Sequence, residues 1–180
     1  MRVITGTARG RILKTLEGSD VRPTTDKTKE GLFSSIQFDI EGRRVLDLFA
    51  GSGQLGIEAL SRGAESAVFV DTNPEAISVI NENLKATNFA HNSQVVRSDY
   101  FSFVASTNQK FDIAFLDPPY YLGVLEKALN LVCGVMSDYG IIVCEHPADV
   151  YLPEQIQDFS LSRQKKYGKI LISIYRKECD

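Results

Sequence analysis

Apolar and polar positions along the chain fall into alternating blocks. Short apolar runs near 43–48, 66–70, 93–97, 111–116 and 140–145 have the length and content of strands buried on both faces. Between them, near 54–62, 74–86 and 122–134, apolar residues recur at helical spacing. A further helix near 26–38 precedes the first run, and a basic segment over about 2–15 reads as a short hairpin. Alternation of strand and helix predicts a parallel sheet with helices on both faces. At the C-terminal end, Phe159 to Gln164 and Ile170 to Tyr175 flank Lys165-Lys166-Tyr167-Gly168-Lys169, the pattern of a β-hairpin. There is no repeat, low-complexity tract or linker, so the pattern predicts one domain over 1–180, with 1–25 as an N-terminal extension.

Two strand ends carry chemistry. The run Phe111 to Leu116 meets Asp117-Pro118-Pro119-Tyr120. Consecutive prolines lack the N–H groups that a central strand needs, so the strand ends in a stiff loop tipped by a carboxylate and a ring. Open α/β sheets bind ligands at the carboxyl ends of their strands. A carboxylate, exposed proline-loop carbonyls and an aromatic face suit a planar ring with an exocyclic NH₂. Upstream, Val45 to Ala50 runs into Gly51, Gly53 and Gly56 and then a helical pattern, a turn that lets the backbone approach a ligand. Asp71 follows Ser66 to Val70, where a ribose-binding carboxylate is expected. Together these imply an adenosine-containing ligand on a Rossmann-like sheet, without saying which one.

Asp47 narrows the choice. A carboxylate four residues before the first glycine repels a pyrophosphate but attracts a sulfonium with an attached ammonium. A nicotinamide oxidoreductase uses the glycines and Asp71 yet leaves Asp47 and Asp117 to Tyr120 without a role. A cytosine-C5 enzyme needs a cysteine nucleophile in the 117–120 loop, which has none.

The series Asp47-x-Phe49-Ala50-Gly51-Ser52-Gly53, Val70-Asp71, Ser98-Asp99 and Asp117-Pro118-Pro119-Tyr120 resembles the class I S-adenosylmethionine-dependent methyltransferases that modify exocyclic amino groups. Gly10 to Lys14, Arg22-Pro23-Thr24-Thr25-Asp26, Glu30 to Phe33 and the block Phe49 to Arg62 narrow the resemblance. They are similar to the bacterial 16S rRNA (guanine(966)-N(2))-methyltransferases over nearly the whole chain. The resemblance implies a class I methyltransferase sheet whose final strand is antiparallel, S-adenosyl-L-methionine as cofactor, and N2 of a guanine in 16S ribosomal RNA as target. It also implies a substrate RNA that already carries ribosomal proteins. Asp117, Pro118, Pro119 and Tyr120 then form the catalytic loop, with Asp47, Phe49, Gly51, Gly53, Asp71 and Asp99 around the cofactor. Asp99 is also placed to cap a helix starting at Tyr100. The 117–120 loop is shared with adenine-N6 methyltransferases of DNA or RNA, which stay open as the alternative.

The net charge of −3 hides an asymmetry. Residues 1–44 carry +3, residues 45–160 carry −10 and residues 161–180 carry +4. Basic ends around an acidic middle fit nucleic-acid contact by Arg2, Arg9, Arg11 and Lys14 with Lys165, Lys166 and Lys169, and the resemblance adds Arg22 and Thr24. Three cysteines without C-x-x-C spacing and two isolated histidines point to no metal. The absence of any long apolar stretch and of an apolar leader fits a cytoplasmic enzyme away from membranes, and a monomer is expected.

Overall fold

The computed structural model describes residues 1–16, 25–119 and 123–177. Arg22, Thr24 and Tyr120, expected to take part in binding and catalysis, lie outside the described residues. The elements run α1 (Asp26–Ser35), β1 (Arg44–Asp47), α2 (Gln54–Ser61), β2 (Ser66–Asp71), α3 (Pro74–Thr87), β3 (Ser93–Arg97), α4 (Tyr100–Ser106), β4 (Phe111–Leu116), α5 (Val124–Val132), β5 (Met136–Pro147), β6 (Gln155–Ile156), β7 (Phe159–Tyr167) and β8 (Ile170–Lys177). The strands form one sheet in the order β3-β2-β1-β4-β5-β8-β7-β6. Strands β1 to β5 pair in parallel, whereas β8 enters antiparallel between β5 and β7, as expected. No helix among the described residues is long and apolar enough to cross a membrane.

Apolar side chains alternate across the pleat, so each strand feeds two cores. One face packs Val45, Phe69, Phe115 and Val143 under α1, α2 and α3. The other packs Leu46, Val68, Ala114 and Ile142 under α4 and α5. Cys133 and Cys144 are buried thiols of this second core, where burial pushes both above the usual thiol range. Several elements differ from those the pattern predicts. Helix α1 ends at Ser35, three residues early, and leaves Phe38 94% exposed. Helix α4 is too short to show a periodic stripe, although its Asp99 cap was legible. Strand β5 begins at Met136, ahead of its apolar core, where its pairing with β4 shifts register.

The N-terminal extension is a hairpin with one isolated bridge, Arg2 to Ile12, which by itself is too little pairing to hold it. Buried side chains of α2 supply the rest. Glu58, fully buried, accepts the Ile4 and Thr5 N–H groups at 2.8 and 3.0 Å and the Arg62 guanidinium at 2.9 Å. The Lys29 ammonium, also fully buried, stands 3.6 Å from it. Burial lowers the Lys29 pKa, and Glu58 opposes that shift. Ser61 receives the Ala8 N–H on its hydroxyl, which donates in turn to Thr5 O. The hairpin lies so close here that a Cβ on Gly6 would stand 1.7 Å from Ser61 O. Asn83 of α3 finishes the dock by accepting the Lys14 N–H and donating to the Ser52 carbonyl of the glycine turn.

Removing one member of a buried ionic cluster strands its partners and costs about 3–5 kcal/mol. Glu58→Gln is therefore expected to lower Tm by on the order of 10 °C. It should also expose residues 1–14 to protease before the sheet unfolds. Calorimetry with timed proteolysis checks this, and a Tm within a degree of wild type would show that Glu58 is not the anchor.

Candidate active site

The pleat and the register place four acidic side chains along one edge. Asp47, the last residue of β1, stands in register with Phe69 of β2 and Phe115 of β4. Side chains two residues apart share a face, so Asp71 and Asp117 project to the same side as Asp47. Leu116 pairs with Cys144, which sets Asp117 beside Glu145 of β5. Across the carboxyl edge the order is Asp71, Asp47, Asp117, Glu145, on successive strands about 4.8 Å apart.

Among the described residues, no cation neutralises Asp47 or Asp117 of this row. At the opposite edge Asp112 is also buried, which pushes its pKa up, but the Arg44 guanidinium at 3.0 Å, with the Arg44 N–H and Ser137, more than reverses that and holds it to about 2. Among the described residues Asp47 has no such cation. It accepts the Gly56 N–H at 3.0 Å, and burial, with Asp71 adding repulsion, pushes it to about 7. Asp117 is raised well above the carboxylate range by burial first, then by the charges of Glu145 and Asp47. A cation with several donors would satisfy this edge.

The glycine turn is shaped for such a ligand. Helix α2 starts at Gln54, and its close seat on the sheet depends on Gly56, where a Cβ would stand 2.3 Å from the Phe69 ring. A Cβ on Gly51 would meet nothing within 4 Å, so the backbone there faces open space. Gln54 Oε1 is buried without a hydrogen-bond partner beside this turn, an acceptor suited to an ammonium. Asp71 Oδ2 accepts the Gly51 N–H at 2.8 Å and Oδ1 the Asn73 N–H at 2.9 Å, which fixes the carboxylate at the end of β2. Asp99 caps α4 through Ser102, whose backbone N–H and hydroxyl hold its pKa down. Phe49 lies against Tyr100 with ring centroids 5.6 Å apart, next to Asp99. The donor set, the open glycine turn and the aromatic pair fit S-adenosylmethionine.

Beyond Asp117 opens a cleft lined by Pro118, Pro119, Glu145, Pro147, Val150 and Tyr151 among others. Pro118 is buried and Pro119 exposed. Tyr151 is 92% exposed at the rim, an aromatic face that the sequence pattern did not single out. Glu145 was missed because it sits inside an apolar run, and only strand pairing brings it to Asp117. His146 is held by structure, with Nδ1 3.0 Å from Pro147 O and Nε2 2.8 Å from Ser173 Oγ. No acidic, thiol or imidazole cluster able to hold a metal occurs among the described residues.

The basic residues divide. The exposed Lys165, Lys166 and Lys169 lie on the β7–β8 hairpin, whose Lys169 carbonyl accepts the Ala148 N–H at 2.9 Å beside the cleft. Arg9 and Arg11 are exposed on the N-terminal hairpin. Lys14 instead engages Glu82 in an ion pair, which leaves less of its charge for a phosphate.

The family model described as "Conserved hypothetical protein 95" matches residues 1–176. The chain is 43% identical to "Putative rRNA methyltransferase YlbH" of Bacillus subtilis, covering 98% of this chain and 99% of that one. It is 37% identical to Ribosomal RNA small subunit methyltransferase D of Escherichia coli, with 99% and 90% covered. The solved structure of "Putative methyltransferase yhhF from Escherichia coli" superposes with a TM-score of 0.89 at 37% identity over 100% of this chain and 99% of that one. With its acidic carboxyl edge, glycine turn and full-length relatives, the chain belongs to the Conserved hypothetical protein 95 family, alongside the small-subunit ribosomal RNA methyltransferases D.

Proposed function

We propose that this enzyme transfers a methyl group from S-adenosylmethionine to the exocyclic N2 of a guanine in 16S ribosomal RNA. The reading rests above all on Asp117 adjoining the Pro118 and Pro119 wall of the cleft, one strand from Asp47, which has no cation beside it among the described residues. It draws on the relatives named as rRNA methyltransferases for the polymer. It acts as a cytoplasmic monomer on RNA held in a small-subunit assembly particle.

The cofactor supplies a methyl already activated by the sulfonium charge, so the residues position and neutralise. Asp47, with the Gln54 amide oxygen, receives the ammonium and sulfonium end. Asp71 holds the ribose hydroxyls, and Asp99 with Phe49 and Tyr100 holds the adenine. Asp117 accepts one hydrogen of the target NH₂ and the Pro118 carbonyl accepts the other, turning the nitrogen lone pair toward the methyl. Tyr120 stacks on the base. Methyl transfer leaves a positive amine that must lose a proton, and burial beside Glu145 and Asp47 makes Asp117 a strong enough base to take it. The base must leave its stack to reach this cleft. Arg9, Arg11, Arg22, Thr24, Lys165, Lys166 and Lys169 hold the flanking backbone, Lys14 only once freed from Glu82.

Binding and chemistry separate along the acidic row. Each hydrogen bond to a charged group contributes about 1.5–3 kcal/mol, so Asp71→Ala is expected to weaken cofactor binding by at least about tenfold in a folded protein. Asp117→Ala should leave that affinity within about twofold and cut kcat by at least about a hundredfold. Calorimetric titration beside single-turnover rates checks both, and equal losses of affinity in the two variants would contradict the division.

The substrate is tested with small subunits from a strain lacking the enzyme, labelled cofactor and nucleoside digestion. Label is expected in N2-methylguanosine of 16S RNA, with activity falling steeply as salt rises because phosphate contacts release counterions. Label in N6-methyladenosine, or in DNA alone, would overturn the guanine reading.

A further inference from the structure

We infer that Glu145 is the specificity-determining residue that reads guanine N1–H and rejects adenine. The inference rests on the guanine-N2 reading above and goes beyond it by assigning the base discrimination to one side chain. Glu145 is 4% exposed, lines the cleft with Pro118 and Pro119, and is the register neighbour of Asp117 on the same face of the sheet. Adjacent parallel strands thus set two carboxyl groups side by side, Glu145 in the cleft lining and Asp117 next to its Pro118 wall.

Two adjacent acceptors match two adjacent donors. The edge of guanine that carries N2 presents the N2 amine and, beside it, N1–H. With the amine on Asp117, the N1–H falls to Glu145 as a charge-assisted hydrogen bond. Adenine presents its N6 amine beside an unprotonated N1, so its lone pair would face the Glu145 carboxylate and be repelled by it. A site built to bond a given N–H rejects an analogue lacking it far more strongly than a hydrophobic pocket rejects a change of shape. The catalytic loop accepts either amine, and Glu145 supplies the missing choice.

The test uses small subunits reconstituted with 16S RNA whose target guanine is replaced by 2-aminopurine, which keeps the N2 amine but has an unprotonated N1. Wild-type enzyme is expected to prefer guanine over 2-aminopurine by at least about tenfold in kcat/KM. Glu145→Gln presents an amide N–H to N1, so it should lose activity on guanine and bring the two substrates within about threefold, with cofactor affinity unchanged. Equal loss on both substrates, or undiminished activity on guanine, would overturn the role of Glu145. If the variant does not bind cofactor, the wild-type ratio decides, and a ratio below about threefold overturns the proposal. Wild-type enzyme that forms N2-methylguanosine yet fails the ratio test leaves the proposed function standing. Wild-type label in N6-methyladenosine removes that function instead.

Discussion

A parallel sheet gathers the ends of its strands on one edge, and here four of those ends carry carboxyl groups on the same face. The arrangement is costly for the free protein. Asp47 sits at about 7 and Asp117 well above the usual range, because burial and mutual repulsion oppose ionisation. The contrast with Asp112, held to about 2 by Arg44 at the other edge, shows that the fold can satisfy a carboxylate when one is structural. Among the described residues Asp47 and Asp117 have no such cation, a demand that functional sites often leave open. A cation at Asp47 and N–H donors at Asp117 would meet it together and so couple the proposed recognition of cofactor and base.

The second dependence runs through α2 and α3. The same short stretch that forms the glycine turn also carries Glu58 and Ser61, which dock the basic hairpin. Asn83 then joins Lys14 to the Ser52 carbonyl of that turn. The segment proposed to touch RNA and the loop proposed to hold the cofactor therefore share buried hydrogen-bond partners. The tight block Phe49 to Arg62 thus divides its work, with its first half proposed to face the cofactor and its second half fixing the hairpin.

Much of the fold was legible because its strands are buried on both faces and its helices are amphipathic. Asp117, Asp47 and Asp71 were legible because each ends an apolar run at the edge where ligands bind. What was not legible depends on pairing between distant segments. Glu145 reads as an oddity in an apolar strand until the register sets it against Asp117. Glu58 reads as a solvated helix residue until the hairpin covers it. Lys14 reads as a phosphate contact until α3 brings Glu82 to it. Composition likewise gave the basic C-terminal cluster without its location, which follows from β8 returning beside β5.

The claim that the acidic edge awaits a cation is tested most directly by counting protons. S-adenosylmethionine is titrated calorimetrically at pH 6.5 in buffers of differing ionisation enthalpy. Because Asp47 sits at about 7 in the free protein, it is mostly protonated there and must ionise to meet the cofactor's charge. The account predicts release of about half a proton or more per cofactor bound, reduced in Asp47→Asn. Binding with no proton release in the wild-type protein would contradict it.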